Sequence, residues 1–299
     1  MFRRKNLSLE ARNNRLGIYL LSPSIIFIGL FVLFPIAYNI FLSFHFSSMF
    51  NPKNLSFVGL ENYIRVLTSE AFWSALKNAS VYTFSSVILQ LILGLIIALL
   101  LNKEFYGRNI VRGTVLFPYL IPTICAVFMA RWMFEPNYGI INVFFRSALG
   151  YSINWLGNPH TAMLSLILVN TWKFFPFVEI ALLARLQNIP STLYEAADVD
   201  GANFFQKFIY ITLPELIPII FLTGLLRTIW TFNDFQLVHV LTRGGPVRST
   251  ETLPLLAYRS AFSNGNIGMG STVAMFMAIF LFITFIFYYK IFDPLKENK

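Results

Sequence analysis

The chain has 299 residues, of which 56% are hydrophobic, 17% aromatic and only 12% charged, about half the charged share of a soluble domain. That balance excludes an ordinary cytosolic globule, and 33 Phe with a mean hydropathy of +0.63 point to lipid as the main solvent. One cysteine, Cys125, excludes an intrachain disulfide; three histidines are too few for a structural zinc site; and the net charge of +9, without a dense basic run among aromatics, argues against nucleic acid as a partner.

A basic start (Arg3, Arg4, Lys5, Arg12, Arg15) precedes the first apolar run, which is too long for a signal peptide and lacks a small-residue cleavage site, so a retained helix is expected. A hydrocarbon core takes about 20 helical residues to cross. Crossings are expected at about 16–44, with bends at Pro23 and Pro35, then 79–101, 111–134, 161–184, 213–237 and 270–290. The expected fold is therefore all-α: a polytopic membrane protein of six helices, with a tail at 1–15, one transmembrane domain over 16–292, a loop at 185–212 and a tail at 293–299. Placing the N-terminus inside puts 13 Lys and Arg on the cytoplasmic side and eight on the other, so both termini are expected to be cytoplasmic. In the last crossing Gly270, Ala274 and Ala278 recur four apart, a spacing suited to close helix packing.

No phosphate loop, dinucleotide fingerprint, nucleophile elbow, HExxH or Cys/His pair occurs. No catalytic or metal-ligating residue is expected, and an enzyme working inside the membrane would have to assemble its polar groups from several helices. Ionisable groups within a span cost roughly 2.5–3.5 kcal/mol each on insertion scales and mark a cavity or a partner. Lys173, Glu179, Arg227 and Asp234 are accordingly the pathway candidates. Helical spacing puts Trp172, Pro176 and Glu179 on one stripe and Arg227, Trp230 and Asp234 on another. The rise per residue separates Glu179 from Arg227 in depth and brings Lys173 nearer to it. Trp230, Phe232, Asn233, Asp234 and Gln236 supply aromatic faces and paired donors and acceptors of the kind a sugar requires.

The loop after the fourth crossing is the most informative stretch. Thr192 with Glu195 reads as a capping box opening a helix that runs to about Asp200, and Gly201 supplies the left-handed residue that ends it. Asn203 with Gln206 starts a second short helix, and Thr212 with Glu215 caps the fifth crossing with Pro214 in its first turn. Such an element exposes Tyr194, Phe204, Phe205 and Phe208. These rings lie in the headgroup region, pack on the bundle, or meet a protein partner; the residues alone leave all three open.

The spacing Glu195-Ala196-Ala197, Gly201, Ile211 and Leu213-Pro214 resembles the EAA loop of permease subunits of binding-protein-dependent ABC importers. Phe57 to Tyr63, Arg131 to Phe134, Arg227 to Phe235 and Val240 to Pro246 extend the resemblance to the carbohydrate-uptake branch, in the class of glycerol-phosphate and oligosaccharide permeases; Arg243 stands where that branch usually has glycine. The resemblance implies half of a translocation pore in the inner or plasma membrane of a bacterium or archaeon. It implies a second permease, two cytoplasmic ATPases and an extracytoplasmic solute-binding protein as partners, and a carbohydrate as solute. The chain itself would carry no cofactor, with ATP and Mg held by the ATPases. Glu195, Ala196, Ala197, Asp200, Gly201, Leu213 and Pro214 would couple to the ATPases, and Arg243, Gly244, Gly245 and Pro246 would dock the binding protein. The competing reading is an ion-coupled secondary carrier that protonates Glu179 and Asp234.

Overall fold

The computed structural model describes residues 9–51 and 53–291. Residues 1–8 and 292–299, with Arg3, Arg4, Lys5, Lys296 and Lys299, lie outside the described residues. The described residues are helical almost throughout, with five helices long and apolar enough to span a membrane, or six if a sharply bent pair counts as one span.

The first span, α1 (Leu16–Ser43), belongs to a helix that starts at Leu9, so part of the expected tail is helical. Its Gly29–Leu33 segment is a π-turn ending two residues before Pro35. The proline ring presses on the carbonyl four residues back, and the wider turn moves that carbonyl aside. A short antiparallel hairpin follows, β1 (His45–Ser47) with β2 (Leu55–Phe57), in register His45 opposite Phe57. Buried Asn62, in α2 (Glu61–Leu67), donates to the carbonyls of Ser43 and His45 (both 3.0 Å) and holds the hairpin against the end of α1.

The second crossing, α3 (Glu70–Asn102), extends well before the expected residue 79. An apolar-run reading cannot see this extension, because it carries the polar Lys77 and Asn78; Asn78 donates to the carbonyls of Arg248 and Glu251 (3.1 and 3.2 Å).

The third crossing is not the single helix expected over 111–134. It is a pair, α4 (Arg108–Leu120) and α5 (Thr123–Met133), bent by 94°. Pro122 has no N–H to give and forces Ile121 out of the helical region (ψ 134°), so the carbonyls before the break are left without helical donors. Lys173 supplies the donor from another helix: its Nζ lies 2.6 Å from the Ile121 carbonyl and 3.4 Å from that of Pro118.

The amphipathic α6 (Ile140–Leu149) is pinned by buried Asn142, whose amide bridges the Glu135 and Ile153 backbones and accepts from the Trp155 indole. The fourth crossing, α7 (Pro159–Leu186), is capped by Asn158 and is the most enclosed span. After α8 (Ser191–Val199) comes α9 (Phe204–Phe232), then α10 (Phe235–Leu241) and α11 (Leu253–Tyr258). The last crossing is α12 (Ile267–Ile291). A Cβ at Gly270 would lie 2.7 Å from Ala261 Cβ, so close packing holds there. It fails at Ala278, which is exposed.

Two expectations about α9 are corrected. The short helix that Asn203 and Gln206 start does form, as Phe204–Lys207, but it is not separate; it runs through a π-turn, Phe208–Thr212, into the crossing, again two residues before a proline, Pro214. Thr212 is therefore helical and caps nothing; its hydroxyl meets that of Tyr194 at 2.9 Å. The crossing also ends at Phe232 rather than 237, because Asn233 closes it and Asp234 opens α10, its carboxylate accepting from the Leu237 N–H at 3.1 Å.

Candidate functional site

Within the bundle, Arg227 and Asp234 line a cavity of about 290 Å³ together with Tyr119, Phe174, Trp230 and Thr231. The guanidinium of Arg227 sits 4.2 Å from the Phe174 ring centroid and 5.8 Å from that of Trp230, a cation over aromatic faces. Arg227 and Asp234 form no direct ion pair. Arg227 Nε donates to Gln90 (2.7 Å) and Nη2 to Thr231 (3.1 Å), while Asp234 accepts from Tyr82 (2.9 Å) and Asn170 (3.1 Å).

The other pathway candidates divide. Lys173 shares the Phe174 ring with Arg227, in keeping with their expected similar depth, but its ammonium is taken up by the break in the third crossing. Glu179 is buried apart from the cavity. The expected stripe of Trp172 with Glu179 is not a common surface. Trp172 is 37% exposed and lines a separate apolar cavity of about 500 Å³ with Met129, Phe134 and Trp155. Phe232 is core rather than cavity wall, stacked on Phe280 at 4.7 Å. Asn233 and Gln236 are exposed at the α9–α10 break, with Asn233 donating to the Ile229 carbonyl at 2.9 Å.

At the end of the bundle that carries α8, the expected Thr192–Glu195 capping box is absent. The helix starts two residues earlier, with Pro190 at the N-cap position and no side-chain cap, so Glu195 is an exposed carboxylate with no structural duty. Its C-terminus does form as expected. Gly201 adopts φ +74°, its N–H bonds the Asp198 carbonyl (3.1 Å), and the Ala202 N–H bonds that of Ala197 (2.9 Å), the Schellman pattern. The Asn203–Gln206 capping box is present with both bonds, 2.8 and 2.9 Å.

No residue of α8 is buried. An ion pair from Lys207 to Asp198 and the Tyr194 hydroxyl tie α8 to the start of α9, and Arg185 with Glu215 ties α7 to α9 beside it. Ala196 and Asp200 are exposed, Ala197 and Leu213 half-buried and Pro214 exposed. Of the expected exposed rings, Phe204 and Phe205 are 73% and 66% exposed, whereas Tyr194 and Phe208 are half-buried as anchors.

At the opposite end, residues 242–251 form an ordered loop. Arg243, Gly244, Val247 and Arg248 all have positive φ, between 48° and 79°. The conformation is held from below: Thr250 donates to Thr242 Oγ1 (2.8 Å) and the Gly245 carbonyl (2.7 Å), and Arg259 donates to the Arg243 carbonyl (2.6 Å) and to buried Glu251. Pro246 is half-buried beneath the exposed Val247. Arg243 occupies a left-handed position at φ 53°, which suits glycine, and the fold uses its carbonyl. Arg243→Gly is therefore expected to shift stability by no more than about 1 kcal/mol, because relief of backbone strain and the added freedom of the unfolded chain offset each other. A thermal melt of the purified chain checks this, and a larger loss would show that the Arg243 side chain carries structure.

Residues 90–297 match the family described as binding-protein-dependent transport system inner membrane component. The trehalose/maltose transport system permease protein MalF of Thermococcus litoralis is 37% identical over 284 residues, covering 95% of each chain. The sulfoquinovosyl glycerol transport system permease protein SmoG of Agrobacterium fabrum is 34% identical over 270 residues, covering 90% of this chain and 87% of its own. The chain belongs to the binding-protein-dependent permease family. The fold agrees with a bacterial alginate ABC transporter solved with its periplasmic protein, at a TM-score of 0.83, 21% identity and 96% coverage of both chains.

The protein is thus a multi-pass inner-membrane component of an ABC transport system. Sequence reasoning missed four residues that organise the sites of this permease: Tyr82, Gln90 and Asn170 around Arg227, and Glu251 under the 242–251 loop. Gln90 carried a usable signal, as an amide in an otherwise apolar span. Glu251 carried none, because one acid in a polar loop reads as solvated.

Proposed function

We propose that this permease forms half of the pore of an ATP-driven importer whose solute is a carbohydrate, with both termini and α8 on the cytoplasmic side. Support for the solute class comes from relatives whose names carry trehalose/maltose and sulfoquinovosyl glycerol. In this reading the Arg227–Asp234 cavity is part of the solute path. Trp230 and Phe174 offer faces to sugar C–H groups, and Arg227 and Asp234 face hydroxyls or an acidic substituent. Asn233 and Gln236 stand at its exposed margin. Lys173 holds the broken crossing, and Phe232 belongs to the core.

The observation that carries the coupling part is α8 itself: a helix with a complete C-terminal cap, tied to α9 and anchored by half-buried Tyr194, yet with no residue fully buried in its own chain. Such an element is preformed for a partner. ATPase subunits would receive Glu195 to Gly201, with ATP and Mg bound on them; a second permease would complete the pore; and the solute-binding protein would meet the loop at Arg243 to Pro246. The ion-coupled carrier reading has no support from the family match, and Glu179 and Asp234 do not lie on one path.

Purification of the tagged full-length chain from its own membranes tests the proposal. Two ATPase copies and one homologous permease are expected to accompany it, with ATP-dependent uptake after reconstitution. Uptake by the chain alone, driven by a proton gradient and indifferent to ATP, would overturn it.

A further inference from the structure

We propose that Gln90 and Asn170 form a one-way hydrogen-bond relay that joins Arg227 to Asp234 across three helices, and that both amides are positioning residues for the two charged groups of the cavity. Each link is short: Arg227 Nε to Gln90 Oε1 at 2.7 Å, Gln90 Nε2 to Asn170 Oδ1 at 2.7 Å, and Asn170 Nδ2 to Asp234 Oδ2 at 3.1 Å. Gln90 and Asn170 are fully buried.

The direction of the relay follows from chemistry. A guanidinium only donates, so Gln90 turns its oxygen toward Arg227 and its nitrogen away. That nitrogen only donates, so Asn170 presents its oxygen to Gln90 and its nitrogen to Asp234, which as a carboxylate only accepts. Neither amide is free to flip without placing two acceptors or two donors face to face. Tyr82 belongs to the same order, accepting from Asn170 at 2.7 Å and donating to Asp234 at 2.9 Å. Both amide dipoles run from the cation to the anion, so every bond strengthens its neighbours in a medium where an unpaired polar group is costly. The relay also explains how a buried cation and a half-buried carboxylate share one cavity without touching. Both keep an edge toward the cavity while the amides carry the electrostatic link behind them.

The test is a reversal of polarity, read as the melting midpoint of the full-length chain purified with its accompanying subunits. Gln90→Glu keeps the shape and strengthens the contact with Arg227, but it presents an oxygen to Asn170, which must flip and turn its own oxygen on Asp234. A loss of about 5 °C or more is expected. Asp234→Asn alone is expected to cost a similar amount, because it presents an amide to a relay that ends on a carboxylate. In the double variant the order runs backwards without conflict. The carboxylate introduced at position 90 accepts from Arg227 and from a flipped Asn170, whose oxygen accepts in turn from the amide introduced at position 234. The double variant is expected to recover at least half of the summed loss. In an Asn170→Leu background that recovery is expected to vanish, whereas simple repulsion between two carboxylates would persist.

Additive losses, or recovery that survives without Asn170, would overturn the relay. If Gln90→Glu fails to accumulate, the same cycle is read as membrane abundance, with restoration by the double variant as the supporting result and its absence as the opposing one. The inference rests on the proposed solute path only for its consequence for transport. The cycle uses no solute, so lost uptake with intact coupling between positions 90 and 234 faults the path and leaves the relay standing.

Discussion

Gly201→Val is expected to abolish stimulation of ATP hydrolysis in the assembled transporter while leaving the permease in the membrane, and Gly201→Asn is expected to retain it. The distinction is conformational. No atom lies within 4 Å of a Cβ built on Gly201, so bulk is not the obstacle; φ +74° is. An ordinary L-residue pays about 1–2 kcal/mol there and a β-branched one more, whereas asparagine visits this region routinely. That strain falls on the two bonds that close α8, from Gly201 and Ala202 back to Asp198 and Ala197. Opening them loosens the end of a helix that has no fully buried residue to hold it. Glu195→Gln separates charge from shape in the same element. Because Glu195 caps nothing, this substitution is expected to leave the melting midpoint unchanged, so any lost hydrolysis reports a contact with a partner. Full stimulation in Gly201→Val at normal abundance would remove α8 from the coupling path.

Glu251→Leu is expected to lower the melting midpoint by about 5 °C and to weaken capture of the solute-binding protein. Glu251 is 1% exposed, and its carboxylate accepts from Arg259 and is ion-paired with Arg248, whose Nε lies 3.3 Å away. Its backbone carbonyl accepts from Asn78. Leucine fills the space but leaves Arg259 without its counter-charge beside the Arg243 carbonyl. Hydrogen bonds to a charged group contribute about 1.5–3 kcal/mol, and the lower end applies because both arginines remain partly in water. A loss of that size corresponds to several degrees in a chain of this length. The loop above carries four positive-φ residues and an exposed Val247, so loosening its base disperses the surface offered to a partner. Glu251→Gln, which keeps an acceptor and drops the charge, is expected to fall between. An unchanged midpoint in Glu251→Leu would show that Thr250 and Asn78 hold the loop without it.

Features that depend on neighbours in the chain were readable residue by residue. Gly201 ends α8 because a left-handed residue closes a Schellman pattern, and Asn203 with Gln206 forms its reciprocal cap; both are interactions over three to five residues. Thr192 with Glu195 had the same local signature and failed, because Pro190 starts the helix two residues earlier and moves Thr192 inside it. A capping pair is legible only when nothing adjacent competes for the first turn. The third crossing shows the same limit over a longer reach. The run over 111–134 reads as one helix, and its 94° break exposes carbonyls that Lys173, some fifty residues away, solvates.

The six apolar runs, the membrane as solvent and the motif that places this chain among permeases were determined by the amino-acid sequence alone. Hydrocarbon thickness sets a length that any reader can count, and the motif around Glu195 to Gly201 is continuous in the chain. Which ionisable groups are spent on the scaffold and which face the cavity was decided only by tertiary structure. Lys173 and Arg227 look alike in sequence, as single cations in apolar spans. They part because one meets the orphaned carbonyls of a broken helix and the other meets Gln90, and those partners lie on different helices. A buried charge takes its role from the groups that satisfy it, and chain position does not record who those groups are.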